Sequence, residues 1–123
     1  MVRQIFEVIM LVFLKMLQTI VHYSLHLLAP ALLARLLFRK RWKTAWGIML
    51  VTMLVDLDHL LADPIFDPNR CGIGFHPLHT LPAMAVYALI LCIPNSYVRM
   101  VAVGLLFHMA TDLQDCLWIW LLG

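Results

Sequence analysis

Apolar residues dominate four stretches of the chain, and short polar segments separate these stretches. They cover residues 19–38, 44–62, 78–93 and 97–122. A helix that crosses a membrane needs about 17–25 mainly apolar residues, so each stretch predicts one crossing, the third being short. Residues 63–77 are rich in Pro, Asp, Asn and Gly, which is typical of a loop.

A further apolar run, residues 4–18, abuts the first crossing. Joined to it, this run would extend the helix to about 35 residues, roughly 52 Å, which is too long for one crossing. An interfacial helix, a projecting extension and a contact between copies of the chain all fit the pattern. We therefore predict an all-α, polytopic membrane helix bundle, with a helical extension over residues 1–18 and four transmembrane helices over residues 19–123.

Composition and charge agree with a membrane protein. The chain is 63% hydrophobic and 13% charged, far from the roughly 25% charged residues of soluble domains. Five of the nine basic residues lie between Arg35 and Lys43. Between two apolar runs, this cluster indicates a cytoplasmic loop better than a nucleic-acid surface. No small-x-small cleavage site follows residues 5–14, so we expect no cleaved signal peptide.

All six histidines, and three of the six aspartates, fall in four clusters within or beside these apolar stretches. Ionisable residues inside a membrane are costly and indicate function. Counted at 1.5 Å per residue from the basic side, the clusters on all four helices reach similar heights of about 14–24 Å. This agreement predicts one polar layer in the outer half of the membrane. The clusters are His22-x-x-x-His26, Asp56-x-Asp58-His59, His76-x-x-His79 and His108-x-x-x-Asp112.

The spacing within the clusters is that of metal ligands. Residues three or four apart share a helix face, so Asp56 and His59 are predicted ligands. Asp58 is predicted to be either a ligand or a carboxylate that orients an imidazole, and the helix-spaced His pairs could instead be packing contacts. Pro77 suits the first turn of a helix, which would direct His79 into the bundle. The candidate metal ligands are His22, His26, Asp56, Asp58, His59, His76, His79, His108 and Asp112.

Nine donors exceed the three or four protein ligands of a single zinc ion. Two ions bridged by a carboxylate are the preferred interpretation, and one ion remains open. Mixed His and Asp donors favour Zn²⁺, with Mn²⁺ or Fe²⁺ possible alternatives. Cys71 in the loop and Cys116 near the outer end of the fourth stretch are predicted to pair in a disulfide. Alternatively both thiols are free and Cys71 contributes to metal binding.

The four motifs in this order resemble those of a small, uncharacterised integral-membrane family that is similar to bacterial membrane-bound metal-dependent hydrolases, also described as LexA-binding inner-membrane hydrolases. That pattern has an N-terminal His, Asp-x-Asp-His, His-Arg-Gly-x-Thr-His-Ser and a late His-x-x-x-Asp. Residues 76–80 depart from the third motif. The resemblance implies metal binding in a bacterial inner membrane, and hydrolysis. The best matches to the pattern are Asp56, Asp58, His59, His79, His108 and Asp112.

We therefore expect a metal-dependent hydrolase that acts on a lipid or a lipid-linked phosphoester, with Asp58 or Asp115 as general base. The expected partners are membrane lipid and possible further copies of the chain, without nucleic acid. A non-enzymatic metal-binding or metal-transport protein is the alternative. A di-iron membrane oxygenase is a further alternative, which the absence of an adjacent His-His pair disfavours.

Overall fold

Residues 1–122 are described by a computed structural model, and the regular structure among them is entirely helical. The all-α prediction is confirmed. The elements in chain order are α1 (Val2–Leu27), α2 (Ala29–Leu37), a 3₁₀ turn (Arg39–Arg41), α3 (Trp42–Val51), a long 3₁₀ helix (Thr52–Leu61), a second 3₁₀ turn (Pro77–His79), α4 (Leu81–Leu91) and α5 (Ser96–Leu122).

The N-terminal extension continues into the first predicted crossing, since α1 and α2 together form a helical run of 36 residues. Pro30 has no N–H group and interrupts the hydrogen bonding near Leu28. The N–H of Ala31 bonds to the Leu28 carbonyl (3.0 Å), and the Leu27 carbonyl accepts from the indole N–H of Trp46 (2.9 Å). Residues 1–13 are exposed along their whole length, so this end of α1 projects from the rest of the fold.

The second apolar stretch changes helix type in its middle. It is α-helical in α3 and then 3₁₀ from Thr52 to Leu61, which is long for a 3₁₀ helix. With three residues per turn, every third side chain shares a face. Burial follows this repeat: one row is buried (Thr52, Val55, Asp58), one half-buried (Met53, Asp56, His59) and one exposed (Leu54, Leu57, Leu60).

The third predicted crossing is shorter than its apolar stretch. Instead of opening this helix, Pro77 lies in a separate 3₁₀ turn, and α4 begins at Leu81 with Thr80 as its N-cap. The 11 residues of α4 span about 16 Å, roughly half the hydrocarbon thickness. Within residues 1–122, two helical segments are long and apolar enough to cross a membrane, Val2–Leu37 and Arg39–Leu61. The number of four crossings stays a prediction.

Two apolar clusters hold the helices together. At the basic end, Ala34 of α2 packs against Ala45 and Met49 of α3 and Met100 of α5. Nearer the loop, a second cluster joins the long 3₁₀ helix to α4 and α5 through Val55, Tyr87 and Met109. Gly104 lets α5 approach closely between them, because a Cβ there would lie 2.7 Å from Thr52 Oγ1 and 3.0 Å from Met49 Cα. This contact positions the long 3₁₀ helix against α5.

Candidate metal centre

Four side chains from three separate segments meet at one point. The long 3₁₀ helix supplies Asp56, the turn before α4 supplies His79, and α5 supplies His108 and Asp112. The two histidines are buried, and the two aspartates are half-buried. The predicted convergence of the polar clusters therefore holds for these four residues, which we name the tetrad.

The tetrad has the spacing of a tetrahedral metal site. Asp56 Oδ1 lies 3.2 Å from His79 Nε2 and 3.1 Å from His108 Nε2. Asp112 Oδ2 lies 3.1 Å and 3.2 Å from the same two nitrogens, which are 3.4 Å apart. Ligand atoms at about 2.0–2.1 Å from a tetrahedral zinc ion lie about 3.3–3.4 Å from one another. These five distances are close to those within the ligand set of a single zinc ion.

Asp58 orients one of the tetrad's imidazoles. Its Oδ2 accepts hydrogen bonds from His79 Nδ1 (3.0 Å) and from the N–H of Leu78 (2.8 Å). With the proton on Nδ1, the lone pair of His79 Nε2 faces the two carboxylate oxygens. This is the carboxylate–histidine arrangement that supports a metal ligand from behind. Of the two predicted roles for Asp58, orienting an imidazole is the one that these hydrogen bonds favour.

The 3₁₀ geometry explains why two aspartates only two residues apart have different environments. Asp58 belongs to the buried row, and its side chain is 3% exposed. Asp56 belongs to the neighbouring row, and its side chain is 39% exposed. Three residues per turn separate the two rows by about 120°. One carboxylate therefore faces the bundle interior, and the other faces the opening of the site.

A second group of possible ligands lies beside the tetrad. It comprises Asp58, His59 and His76, which we name the outer triad. Asp58 Oδ1 accepts from His59 Nδ1 (3.1 Å), and the rings of His59 and His76 stack with centroids 3.8 Å apart. Burial, followed by the nearby His59, lowers the pKa of His76 below its ordinary value, so its imidazole is neutral near pH 7. A neutral imidazole is the form that binds metals.

Two other predicted ligands, His22 and His26, lie at the edge of the tetrad and belong to neither group. His22 Nδ1 contacts Asp115 Oδ2 closely, and this pair joins α1 to α5. His26 is buried, donates from Nδ1 to the His22 carbonyl (3.0 Å), and places Nε2 3.4 Å from Asp112 Oδ1. In the part of the chain that the structure describes, His26 Nε2 is buried without a hydrogen-bond partner beside Asp112, and it lies outside the group of tetrad atoms.

A cavity of about 430 Å³ opens onto the tetrad, and a disulfide closes part of its rim. Asp56 and Asp112 line it together with His22, Asp115 and Arg70. The rim includes Cys71 and Cys116, which form the predicted disulfide and fasten the loop to α5. Cys71 is therefore not a metal ligand. The ligand set has an open side, as a catalytic metal site requires.

A model of a protein family matches residues 16–119 of the chain. The family is DUF6122, a family of unknown function. The chain belongs to this family. Neither curated proteins nor solved structures gave a match. DUF6122 has no assigned activity, so the resemblance to membrane-bound hydrolases gains no support from these comparisons.

Arg70 is a site residue of this DUF6122 chain that the sequence reasoning missed. Its guanidinium lies at the cavity beside the tetrad, where it donates to the carbonyls of Pro64 (2.8 Å) and Ile65 (3.1 Å). A sequence signal was present, because Arg70 is the only Lys or Arg between Lys43 and Arg99. It also directly precedes Cys71, which the disulfide holds beside the site.

Proposed function

We propose that the protein is a membrane-embedded, metal-dependent hydrolase that cleaves a phosphoester of a lipid or a lipid-linked substrate. The observation that carries the proposal is the tetrad: four ligand atoms from distant parts of the chain, at the mutual distances of a tetrahedral metal site, open on one side to a cavity. Two carboxylates and two imidazoles facing one point are stabilised by a cation between them.

The membrane placement is supported by the exterior of the helices. Large apolar side chains are exposed on α1, α2, the long 3₁₀ helix and α4. Examples are Phe6, Leu36, Leu60 and Leu89, each more than 60% exposed. A soluble surface would not carry apolar patches of this extent. We propose four segments in the membrane, with the basic end cytoplasmic and the tetrad in the outer half. The short α4 then crosses only part of the hydrocarbon.

Zinc suits the tetrad best, since it accepts both nitrogen and oxygen ligands in tetrahedral sites. Bound there, a zinc ion would supply a nucleophilic water at neutral pH and positive charge for the phosphoryl oxygens. The outer triad is the candidate place for a second ion. The chain's own contribution is to hold Asp56, His79, His108 and Asp112 in place, with Asp58 fixing the tautomer of His79.

Of the two predicted general bases, Asp115 fits the role better than Asp58. Asp58 is buried, and its oxygens are engaged by His79, Leu78 and His59. Asp115 lines the cavity with His22, its close partner. The His22–Asp115 pair can therefore take a proton from water at the cavity and deliver it toward solvent, a role that needs proximity to the substrate.

The test begins with metal analysis of the protein purified in detergent. We expect about one or two zinc ions per chain, and His108→Ala should remove the ion of the tetrad. His22→Ala is the matched control, which should keep the metal and lose turnover. Hydrolysis is then measured on phospholipids and long-chain phosphate esters, with Cys92→Ser as the variant of an exposed cysteine distant from the site.

Three outcomes would contradict the proposal. If no metal co-purifies and none binds on addition, the tetrad is a hydrogen-bonded network. If metal binds but no phosphoester is cleaved, the protein is a metal-binding or transport protein. Iron with an oxygen-dependent optical signal would indicate an oxygenase. The apolar cluster of Ala34, Ala45, Met49 and Met100 lies between the tetrad and the basic end, which argues against a polar transport path.

A further inference from the structure

A second cavity, of about 410 Å³, adjoins the one over the tetrad and shares part of its lining. We infer that this second cavity binds the phosphate group of a single-chain or double-chain amphiphile, through Arg70 and Lys15. Hydrolysis of the bound phosphoester rests on the proposed function. Binding of the phosphate group can be measured by itself.

The two cavities lie side by side and have five lining residues in common. His22, Tyr23, Arg70, Asp115 and Ile119 line both of them. From this shared region, one cavity reaches the tetrad, and the other extends along α1 and the loop. A group held at Arg70 therefore lies between the two spaces and can be presented to the tetrad.

The second cavity has two cations in its lining and one anion. Arg70 comes from the loop and Lys15 from α1. The anion is Asp115, whose Oδ2 is occupied by His22. Even with Asp115 ionised, the two cations outnumber the one carboxylate in this lining. Such a balance favours an anion.

Contacts within the loop order the side chain of Arg70 before any ligand binds. Its Nη2 donates to the carbonyls of Pro64 and Ile65, and its guanidinium lies 4.5 Å from the centre of the Phe75 ring. These contacts leave Nη1 and Nε free of the loop carbonyls. A phosphate oxygen can accept a charge-assisted hydrogen bond from one of these free donors, and prior ordering lowers the entropy cost of binding.

The remaining walls indicate an amphiphile. Tyr23, Trp118, Ile119 and Leu122 line the same cavity as the cations. A phosphate at Arg70 and Lys15 would thus place an attached hydrocarbon chain against these apolar side chains. The shared chemistry is a phosphate monoester, which could come from a lipid head group or from a soluble phosphate.

The experiment measures binding of radiolabelled hexadecyl phosphate to the purified protein in mixed micelles. Hexadecylphosphocholine, which has the same tail and a choline-capped phosphate, is the comparison ligand. We expect hexadecyl phosphate to bind about tenfold more tightly, since only the monoester presents a free dianionic face to both cations. Lys15→Met and Arg70→Gln should each weaken its binding about tenfold or more.

Matched controls separate a local effect from a general loss of positive charge. Lys43→Met and Arg3→Gln remove the same charges at positions outside both cavities, and they should leave binding unchanged. Arg70→Lys keeps the charge but loses the guanidinium that the loop carbonyls and Phe75 hold in place, so we expect an intermediate affinity. Lys15 is exposed on α1, so Lys15→Met tests the site without disturbing the loop.

The measurement is repeated in His108→Ala, which removes a tetrad ligand. Retained binding with lost metal would show that the phosphate site is separate from the metal site, so the two proposals can fail independently. Competition by inorganic phosphate or pyrophosphate at similar concentrations would assign the site to soluble phosphates, and lack of competition would assign it to lipids. Equal binding of both hexadecyl ligands, or insensitivity to both Lys15→Met and Arg70→Gln, would overturn the inference.

Discussion

The tetrad and the outer triad lie side by side and use the same residue types, but they differ in how their polar atoms are satisfied. The tetrad atoms face one another at 3.1–3.4 Å around a common point. In the outer triad, Asp58 is already hydrogen-bonded to His79 and Leu78, and His59 stacks on His76. The tetrad therefore needs a cation for its stability more than the outer triad does, and the outer triad also acts as its support.

The difference originates in the three-residue repeat of the long 3₁₀ helix. Asp56 and Asp58 occupy adjacent rows of that helix, so one carboxylate joins the tetrad and the other lies behind His79. A candidate metal ligand and the carboxylate that orients another are thereby supplied by a single short motif. Four predictions test how far the two groups differ.

The largest effect is expected when a tetrad histidine is removed. His79→Ala should reduce tightly bound metal from about one ion per chain to less than about 0.1. Only three ligand atoms remain in this variant, and Asp58 loses its hydrogen bond to the imidazole. His76→Ala should keep the first ion, because His76 belongs to the outer triad alone. Elemental analysis after dialysis against a weak chelator measures both. Equal losses in the two variants would show that the two groups form one site.

The disulfide should have the next largest effect. Replacing Cys71 and Cys116 together by serine removes a covalent link between positions 45 residues apart in the sequence. We expect the free energy of unfolding to fall by about 2–4 kcal/mol, because the unfolded chain gains conformational freedom. Chemical unfolding in detergent measures the change, with Cys92→Ser as control. Since residues 63–77, which the disulfide fastens to α5, carry His76 and none of the tetrad, the tetrad should keep its metal. Loss of both ions would show that the tetrad also depends on the loop.

A smaller effect is expected from Asp58→Asn. The amide keeps the size of the side chain but weakens its hold on His79 Nδ1, so we expect the metal affinity of the tetrad to fall about 10–100-fold with its ion still bound at saturation. Competition with a chromophoric chelator measures this affinity. Asp63→Asn changes an exposed loop carboxylate and serves as control. If one ion is lost while the other keeps its affinity, Asp58 is instead a direct ligand.

The smallest effect is expected at the contact that positions both groups. Gly104→Ala should lower the free energy of unfolding by about 1–3 kcal/mol, because the new methyl group would overlap Thr52 and Met49 at the start of the long 3₁₀ helix. Gly47→Ala in α3 meets no atom within 4 Å and should raise stability by about 0.5–1 kcal/mol. Thermal unfolding compares the two. Similar shifts in both variants would exclude the close contact at Gly104.

Much of the candidate site was predictable from residue types and spacing. Polar clusters in an apolar chain identified all seven residues of the tetrad and the outer triad. The Cys71–Cys116 pairing was also predicted and is confirmed. A rise of about 1.5 Å per residue, counted from the basic residues, placed the four clusters at similar heights in the membrane. The error of such a count is small over about a dozen residues.

Helix type and the choice between neighbouring ligands were decided by tertiary structure. Leu54, Leu57 and Leu60 repeat every three residues, but such a repeat also fits an α-helix, so the 3₁₀ geometry could not be chosen from the pattern alone. The short α4 and the edge positions of His22 and His26 likewise depend on packing against α5. The amino-acid sequence by itself determined which chemistry is present and roughly at what height. Only the folded chain determined which atoms face one another, because distances of about 3 Å depend on helix rotation and packing that spacing along the chain does not encode.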